Sequence, residues 1–453
     1  MNFPQEHPSA SPLKGRTGIW LILILLLALA FRWLGPFLQQ STGDSLHYVA
    51  LAMKLRTRGL NGYNLRGVDF KEISLTQSSV KHLLQLKPSK ESDPQGDLMR
   101  HLHKISLDYY DEPLHHIAYG YPVLLMLIHK MSEHAEGEDW QLVHCAIEPW
   151  DLIRLQPIQL VQAQWRWVAP ALFSSLGMIV LTYFLGTWWF GKQSGLWAAL
   201  LVAIHPIDIL TSQRIWADDA LVFMCLVALL GWCRARDRAS WLWALASGIA
   251  LGCAILFKQS AIFFGVGLVV AEGFQHWRTS NHLQGSTPRI QALIVFACAV
   301  GLSFVTAHWF ATIWGMYGTP FYNPPVDVGI EANPWHHRLQ HRPSPIIFYT
   351  LGTACLSPCM LLGWLRIGEK RIQWLFLVIA IFFFIIIVIG HREYRYILPV
   401  LPLSAIAAGY VLMSLSTRWK TALIIFIVAQ IAWSLHLTNR YTWQNWGEVM
   451  TPF

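Results

Sequence analysis

The sequence predicts an all-α polytopic integral membrane protein, with about eleven transmembrane helices and a long first external loop carrying interfacial helices. Three observations predict it. Of 453 residues, 54% are hydrophobic and 13% charged, with a mean hydropathy of +0.38, far more apolar than a soluble domain of this length. The apolar residues fall in runs of membrane-spanning length. The gaps between runs then alternate in charge. Lys14/Arg16, Lys192, Arg234–Arg238, Arg278/Arg289, Arg366/Lys370/Arg371 and Arg418/Lys420 fall on one side, which the positive-inside bias makes cytoplasmic. Asp44 and its long loop, Arg214–Asp219, Lys258, residues 317–344 and His391–Tyr396 fall on the other.

In order, residues 1–16 read as a cytoplasmic tail and 17–38 as the first span. Ala28-Leu29-Ala30 has the small-residue spacing of a signal-peptidase site, but a retained anchor is the preferred reading. Residues 39–164 form the external loop. After Asp44, Leu46, Val49, Ala50 and Met53 repeat at helical spacing and are followed by Lys54, Arg56 and Arg58, as in an amphipathic surface helix. Segment 117–131 is apolar but too short to cross, and counting it as a span would invert every later loop. It reads as a second interfacial helix. The bundle 165–438 follows, with spans at 165–188, 194–211, 218–233, 241–257, 260–277, 290–316, 345–365, 373–390, 397–416 and 421–438, an external loop at 317–344 and an external tail at 439–453.

Composition also excludes functions. The net charge of +8 resides in short loops and gives no reason to expect nucleic acid. Cys225, Cys233, Cys253, Cys298, Cys355 and Cys359 lie in or beside apolar runs, so neither a disulfide framework nor a zinc site is indicated. Many of the 23 Trp, including Trp188, Trp189, Trp241 and Trp243, end apolar runs as interfacial anchors do.

The candidate chemical groups gather on the external side. Asp44 opens the first surface helix, where it can serve as an N-cap or as a general base at the water–lipid boundary. Arg214, Asp218 and Asp219 crowd a tight turn between two spans, and such charges need partners or a function. Lys258 tips a hairpin on the side where the charge bias disfavours lysine; snorkelling is its alternative role. His391, Arg392, Arg395 and Tyr396 precede a span opening Ile397-Leu398-Pro399, and their two guanidinium groups would make an anion clamp. His336 and His337 are adjacent, which suits a shared metal poorly, and no metal site is assigned.

Four stretches, in this order, resemble the glycosyltransferase-C superfamily, in particular the branch using polyprenyl- or dolichyl-phosphate sugars that includes protein O-mannosyltransferases and the lipid A aminoarabinose transferase. They are Gly43-Asp44-Ser45-Leu46-His47-Tyr48, Tyr119-Gly120-Tyr121-Pro122-Val123-Leu124-Leu125, the run from Leu185-Gly186 through His205-Pro206 to Arg214 and Asp219, and Glu393-Tyr394-Arg395-Tyr396-Ile397-Leu398-Pro399. Many relatives carry a second acid directly after the first, where this chain has Ser45. The resemblance implies a transferase moving a sugar from a polyprenyl-phosphate donor to an acceptor hydroxyl on a protein, lipid or glycan, with inversion. Asp44 would be catalytic, Arg214, Lys258, His391, Arg392, Arg395 and Tyr396 would meet the donor phosphate, and Asp218 and Asp219 would support them. It implies no certain cofactor and leaves a divalent cation, Mg²⁺ or Mn²⁺, open. The expected location is the bacterial inner (plasma) membrane, with the site facing the periplasm. Two other functions stay in view: a transporter or flippase of lipid-linked substrates, and a catalytically degenerate lipid-binding subunit. Transporters place ionisable groups on broken helices near mid-membrane, whereas here they are expected at helix ends.

Overall fold

The computed structural model describes residues 16–34, 48, 52, 55, 120–131, 157–238, 240–280, 295, 297–299, 301–302, 358–389, 394–415 and 420–443. Every regular element among them is helical. They are α1 (Arg16–Leu34), α2 (Gly120–Met131), α3 (Pro157–Phe190), α4 (Lys192–Ala203), α5 (Pro206–Ser212), α6 (Asp218–Arg238), α7 (Trp241–Phe257), α8 (Ala261–Ser280), α9 (Lys370–Ile389), α10 (Leu401–Leu415) and α11 (Lys420–Trp443). Short 3-10 segments, Pro358–Arg366 and Tyr394–Val400, precede α9 and α10. Within the described residues, Trp167–Phe190 and Arg395–Leu415 are long and apolar enough to cross a membrane. The bent pair α4–α5 makes a third when taken as one span, while Thr17–Trp33, Trp241–Phe257, Ala261–Gln275 and Ile424–His436 are apolar but shorter. Most of the spans expected at 290–316 and 345–365, and the 317–344 loop, lie outside the described residues.

Small residues let α4 sit at the centre. Gly191 at φ +93°, a backbone conformation that costs glycine little, turns the chain between α3 and α4. A Cβ on Gly195 would lie 2.6 Å from the Tyr183 carbonyl oxygen of α3, and one on Gly409 of α10 only 2.6 Å from the Ser194 carbonyl oxygen. Neighbouring backbones thus approach α4 on two sides, as small residues allow inside membranes. Gly409→Ala should destabilise the fold by about 1–3 kcal/mol, the usual cost of overpacking. A thermal melt in detergent showing no loss would mean that this contact relaxes freely.

The structure breaks the span expected over 194–211. α4 and α5 meet at 61°. Pro206 at the start of α5 is the cause: its ring disfavours a helical residue before it, and His205 is accordingly extended at φ −75°, ψ 125°. The His205 Nδ1 then caps α5 by accepting from the Ile207 N–H at 3.3 Å.

Beside this break is a pair of charges the sequence patterning passed over. Arg32 of α1 and Asp208 of α5 are both 0% exposed and form an ion pair. The Arg32 Nε donates to Ser175 Oγ at 2.8 Å, and its Nη1 donates to the carbonyls of Ala28 at 2.9 Å and Ala203 at 3.1 Å. Ser175 in turn donates to Asp208 Oδ1 at 2.8 Å. A guanidinium suits this place because its fixed fork meets several acceptors together. Both charges sit at helix ends, Arg32 in the last turn of α1 and Asp208 in the first turn of α5 beside the break.

Antiparallel packing separates two chemistries by one helix length. α6 begins with Asp218 and Asp219 and ends with Arg234, Arg236 and Arg238. From Asp218 to Arg234, at 1.5 Å per residue, is about 24 Å. Lys258, just past α7, meets Asp218 at one end. At the other, Trp243 near the start of α7 meets Arg234, and Arg236 pairs with Glu272 of α8.

Candidate functional site

The site is built where α5, the turn 213–217, α6, the end of α7 and the 3-10 segment before α10 meet. Gln213 anchors the turn by donating through Nε2 to the carbonyls of Arg32 at 3.1 Å and Phe31 at 3.3 Å, the last turn of α1. Arg214 follows at 7% exposure, and burial pulls its guanidinium down to about 10, still a cation at neutral pH. Trp216 of the same turn offers its ring to Arg395, whose Cζ lies 4.5 Å from the ring centre. Arg395 is 6% exposed and also approaches Tyr396 at 5.7 Å.

Lys258 occupies the centre. Its Nζ donates to Asp218 Oδ1 at 2.8 Å and lies 4.6 Å from the centre of the Tyr396 ring. Simple snorkelling is therefore not its role. Tyr396 thus has both cations on it, and cation–π contacts of this kind hold a guanidinium or ammonium in place without neutralising it. Asp218 Oδ2 has no hydrogen-bond partner among the described residues.

The two adjacent acids divide their work. Asp219 accepts from Thr211 Oγ1 at 3.0 Å, and the same hydroxyl lies 3.3 Å from the Asp208 carbonyl oxygen, so Thr211 joins the site to the helix of the Arg32 pair. Asp218 faces Lys258 instead. Helical geometry explains the division, because consecutive residues of a helix point about 100° apart.

α2 closes the site from beside the turn. Tyr121 and Leu125 are buried in a cluster with Trp167, Ile215, Ala217 and Ala220. A Cβ on Gly120 would lie 2.7 Å from the Leu256 carbonyl oxygen, so α2 rests directly on the end of α7. Tyr121 stacks edge-on against Phe257 at 6.3 Å and against Tyr48 at 5.1 Å. Burial, with Asp219 and Asp218 nearby, pushes its phenol upward and keeps it protonated. The segment read as interfacial is thus a helix bound to the bundle. After Asp44, the residues buried in this cluster are Tyr48, Ala52 and Leu55. The expected stripe of Leu46, Val49, Ala50 and Met53 lies outside the described residues.

Six of the residues singled out from sequence, Arg214, Asp218, Asp219, Lys258, Arg395 and Tyr396, therefore come together at one end of the bundle. Asp44, His391 and Arg392 lie outside the described residues, as do His336 and His337. Arg32, Asp208 and Tyr121 were missed as members of the site's surroundings. For the first two a signal existed: single charges of opposite sign inside apolar runs, each requiring a partner. Among the described residues no three His, Cys, Asp or Glu side chains gather in a metal-binding group.

Known proteins resemble parts of this chain in sequence and most of it in fold. Residues 159–323 match the model of the dolichyl-phosphate-mannose-protein mannosyltransferase family, and residues 331–448 match that of the Alg9-like mannosyltransferase family. No curated protein matches. Among solved structures, ArnT from Cupriavidus metallidurans in the apo state is similar at TM-score 0.58 and 14% identity, over 91% of this chain and 63% of that one. The same protein bound to undecaprenyl phosphate gives 0.54 and 16% over the same shares. The oligosaccharyltransferase AglB from Archaeoglobus fulgidus, in complex with an inhibitory peptide and a dolichol-phosphate, gives 0.57 and 11%, over 94% of this chain and 56% of that one. This chain spans under two thirds of the length of these structures. The two family models match different parts of the chain, each less than half of it, and the structural likenesses show a shared fold.

Proposed function

We propose that the chain is a membrane glycosyltransferase that moves a sugar from a polyprenyl-phosphate donor to an acceptor hydroxyl, with inversion, at the bundle end carrying Lys258 and Arg395. The observation that carries this reading is the pair of cations on Tyr396, with Arg214 on the adjoining turn. A phosphate monoester leaving group needs such a cluster, held in place before the reaction, where charge develops. The solved relatives support the donor class: one holds undecaprenyl phosphate and another a dolichol-phosphate.

In the proposed reaction the acceptor oxygen attacks the anomeric carbon as the bond from that carbon to the phosphate oxygen breaks. The acceptor proton passes to Asp44, and the polyprenyl phosphate departs with both bonding electrons. That charge is assigned to Lys258, Arg214, Arg395 and Arg392, with His391 and Tyr396 as further donor-phosphate groups. Chain length favours the assignment of Asp44. It precedes Tyr48 by four residues, so their Cα atoms lie within about 14 Å of each other. Tyr48 leads through Tyr121 and Phe257 to Lys258. An ordinary aspartate, with a pKa of about 3.9, is a weak base, adequate where attack falls on an oxocarbenium-like centre.

Two measurements test the reading. Lys258→Met and Arg395→Ala should each slow transfer roughly 100–1,000-fold and weaken binding of undecaprenyl phosphate to purified protein. If neither changes across a panel of polyprenyl-phosphate sugars that the wild type uses, these cations do not serve the phosphate. Omitting divalent cations and adding a chelator in the same assay reads out any role for Mg²⁺ or Mn²⁺. The proposed location is a bacterial inner membrane with the site toward the periplasm. A tag at residue 236 should then be reachable only from the cytoplasm and one at residue 330 only from outside; the reverse pattern would invert the orientation.

A further inference from the structure

We infer that the bundle end opposite the transferase site holds a second lipid-phosphate site, centred on Arg234 and occupied by an anionic phospholipid of the facing leaflet. The ends of α3, α6, α8 and the starts of α7 and α9 converge there. The arginines they contribute are not alike. Arg236 donates to Glu272 Oε1 at 3.1 Å and has Asp237 at 3.8 Å. Arg371 donates to the Trp189 carbonyl.

Arg234 meets no carboxylate among the described residues. Its Cζ lies 4.6 Å from the ring centre of Trp188 and 5.9 Å from that of Trp243, and its Nε is buried without a hydrogen bond. Contacts with ring faces fix the guanidinium while leaving its in-plane N–H groups unspent. Those donors match the non-bridging oxygens of a phosphodiester, the charge-assisted geometry arginine favours.

The surroundings select a lipid as the source of that phosphate. Trp188 is 37% and Trp243 39% exposed, and Trp241 and Leu242 beyond them are more so, at 61% and 58%. This is an aromatic and apolar surface at the level where glycerol and upper acyl chains lie. A soluble phosphate would gain nothing from it. Basic pockets between helix ends are a recognised form of headgroup site. The separation of about 24 Å from Asp218 puts the two phosphate sites in opposite leaflets, given a hydrocarbon core of about 30 Å. The inference does not depend on the transfer chemistry.

The experiment uses the full chain in nanodiscs of phosphatidylcholine, with or without phosphatidylglycerol. Native mass spectrometry reads retained lipid, and a thermal melt reads stabilisation. Wild type should retain phosphatidylglycerol over phosphatidylcholine by about tenfold and melt several degrees higher in its presence, as differential binding requires. Arg234→Gln should lose both effects while melting like wild type in phosphatidylcholine alone. Arg238→Gln, which removes an exposed charge at the same helix end, should keep both. Equal retention of the two lipids by wild type would overturn the site, whether or not Arg234→Gln folds. So would an undiminished effect in Arg234→Gln, or an equal loss in Arg238→Gln, which would reduce it to diffuse charge. An identical shift with inorganic phosphate in phosphatidylcholine discs would overturn the lipid assignment.

Discussion

Asp44→Asn is expected to abolish sugar transfer while leaving donor binding within a fewfold of wild type. Asparagine keeps the size and hydrogen-bonding shape of the side chain but cannot accept the acceptor's proton. Losing a positioned base typically costs about 100–10,000-fold. Binding should survive because the phosphate is assigned to Lys258, Arg214 and Arg395, which the substitution does not touch. The two quantities must be measured on one preparation, with undecaprenyl phosphate as the binding probe and product formation as the rate. Transfer at the wild-type rate would remove Asp44 from the mechanism. Loss of binding together with transfer would make it a structural cap instead, the alternative its position at a helix start allows.

The second large effect concerns folding. Arg32→Leu should destabilise the protein by about 3–5 kcal/mol, because it leaves the Asp208 carboxylate buried without its cation. Against a typical total of about 5–15 kcal/mol, that loss should show as a collapsed melting temperature or failure to purify as a single species. The double variant Arg32→Leu/Asp208→Leu should recover most of it, since replacing both members of a buried pair is often neutral or stabilising. Arg32→Lys should fall between, keeping the charge but losing the fork that reaches Ser175, Ala28 and Ala203. A wild-type melt for Arg32→Leu would show that the pair adds nothing to stability. Because Gln213 also ties the site's turn to the end of α1, the double variant can be stable and still transfer slowly.

Much of this was visible in the chain. The helical class, the short segment before Met131 and the clustering of Arg214, Lys258 and Arg395 at one end all follow from where apolar runs stop and which charges stand in the gaps. The partners did not follow. Asp218 and Asp219 are neighbours of the same chemical type, yet one faces Lys258 and the other Thr211 and Asp208. The break at His205-Pro206 was readable in principle, since proline marks such points, but a continuous apolar run concealed it.

Hydropathy and charge are properties of local stretches that a bilayer sorts stretch by stretch, so an apolar helical chain with its basic gaps apart from its acidic ones is legible in the residues alone. Packing of the folded bundle is what brings Arg32 to Asp208 across 176 residues, lays α2 against α7 and gathers two cations on Tyr396. The physical reason is that a buried charge must find an opposite charge or a ring wherever packing brings one within a few ångströms, and sequence spacing does not encode that meeting.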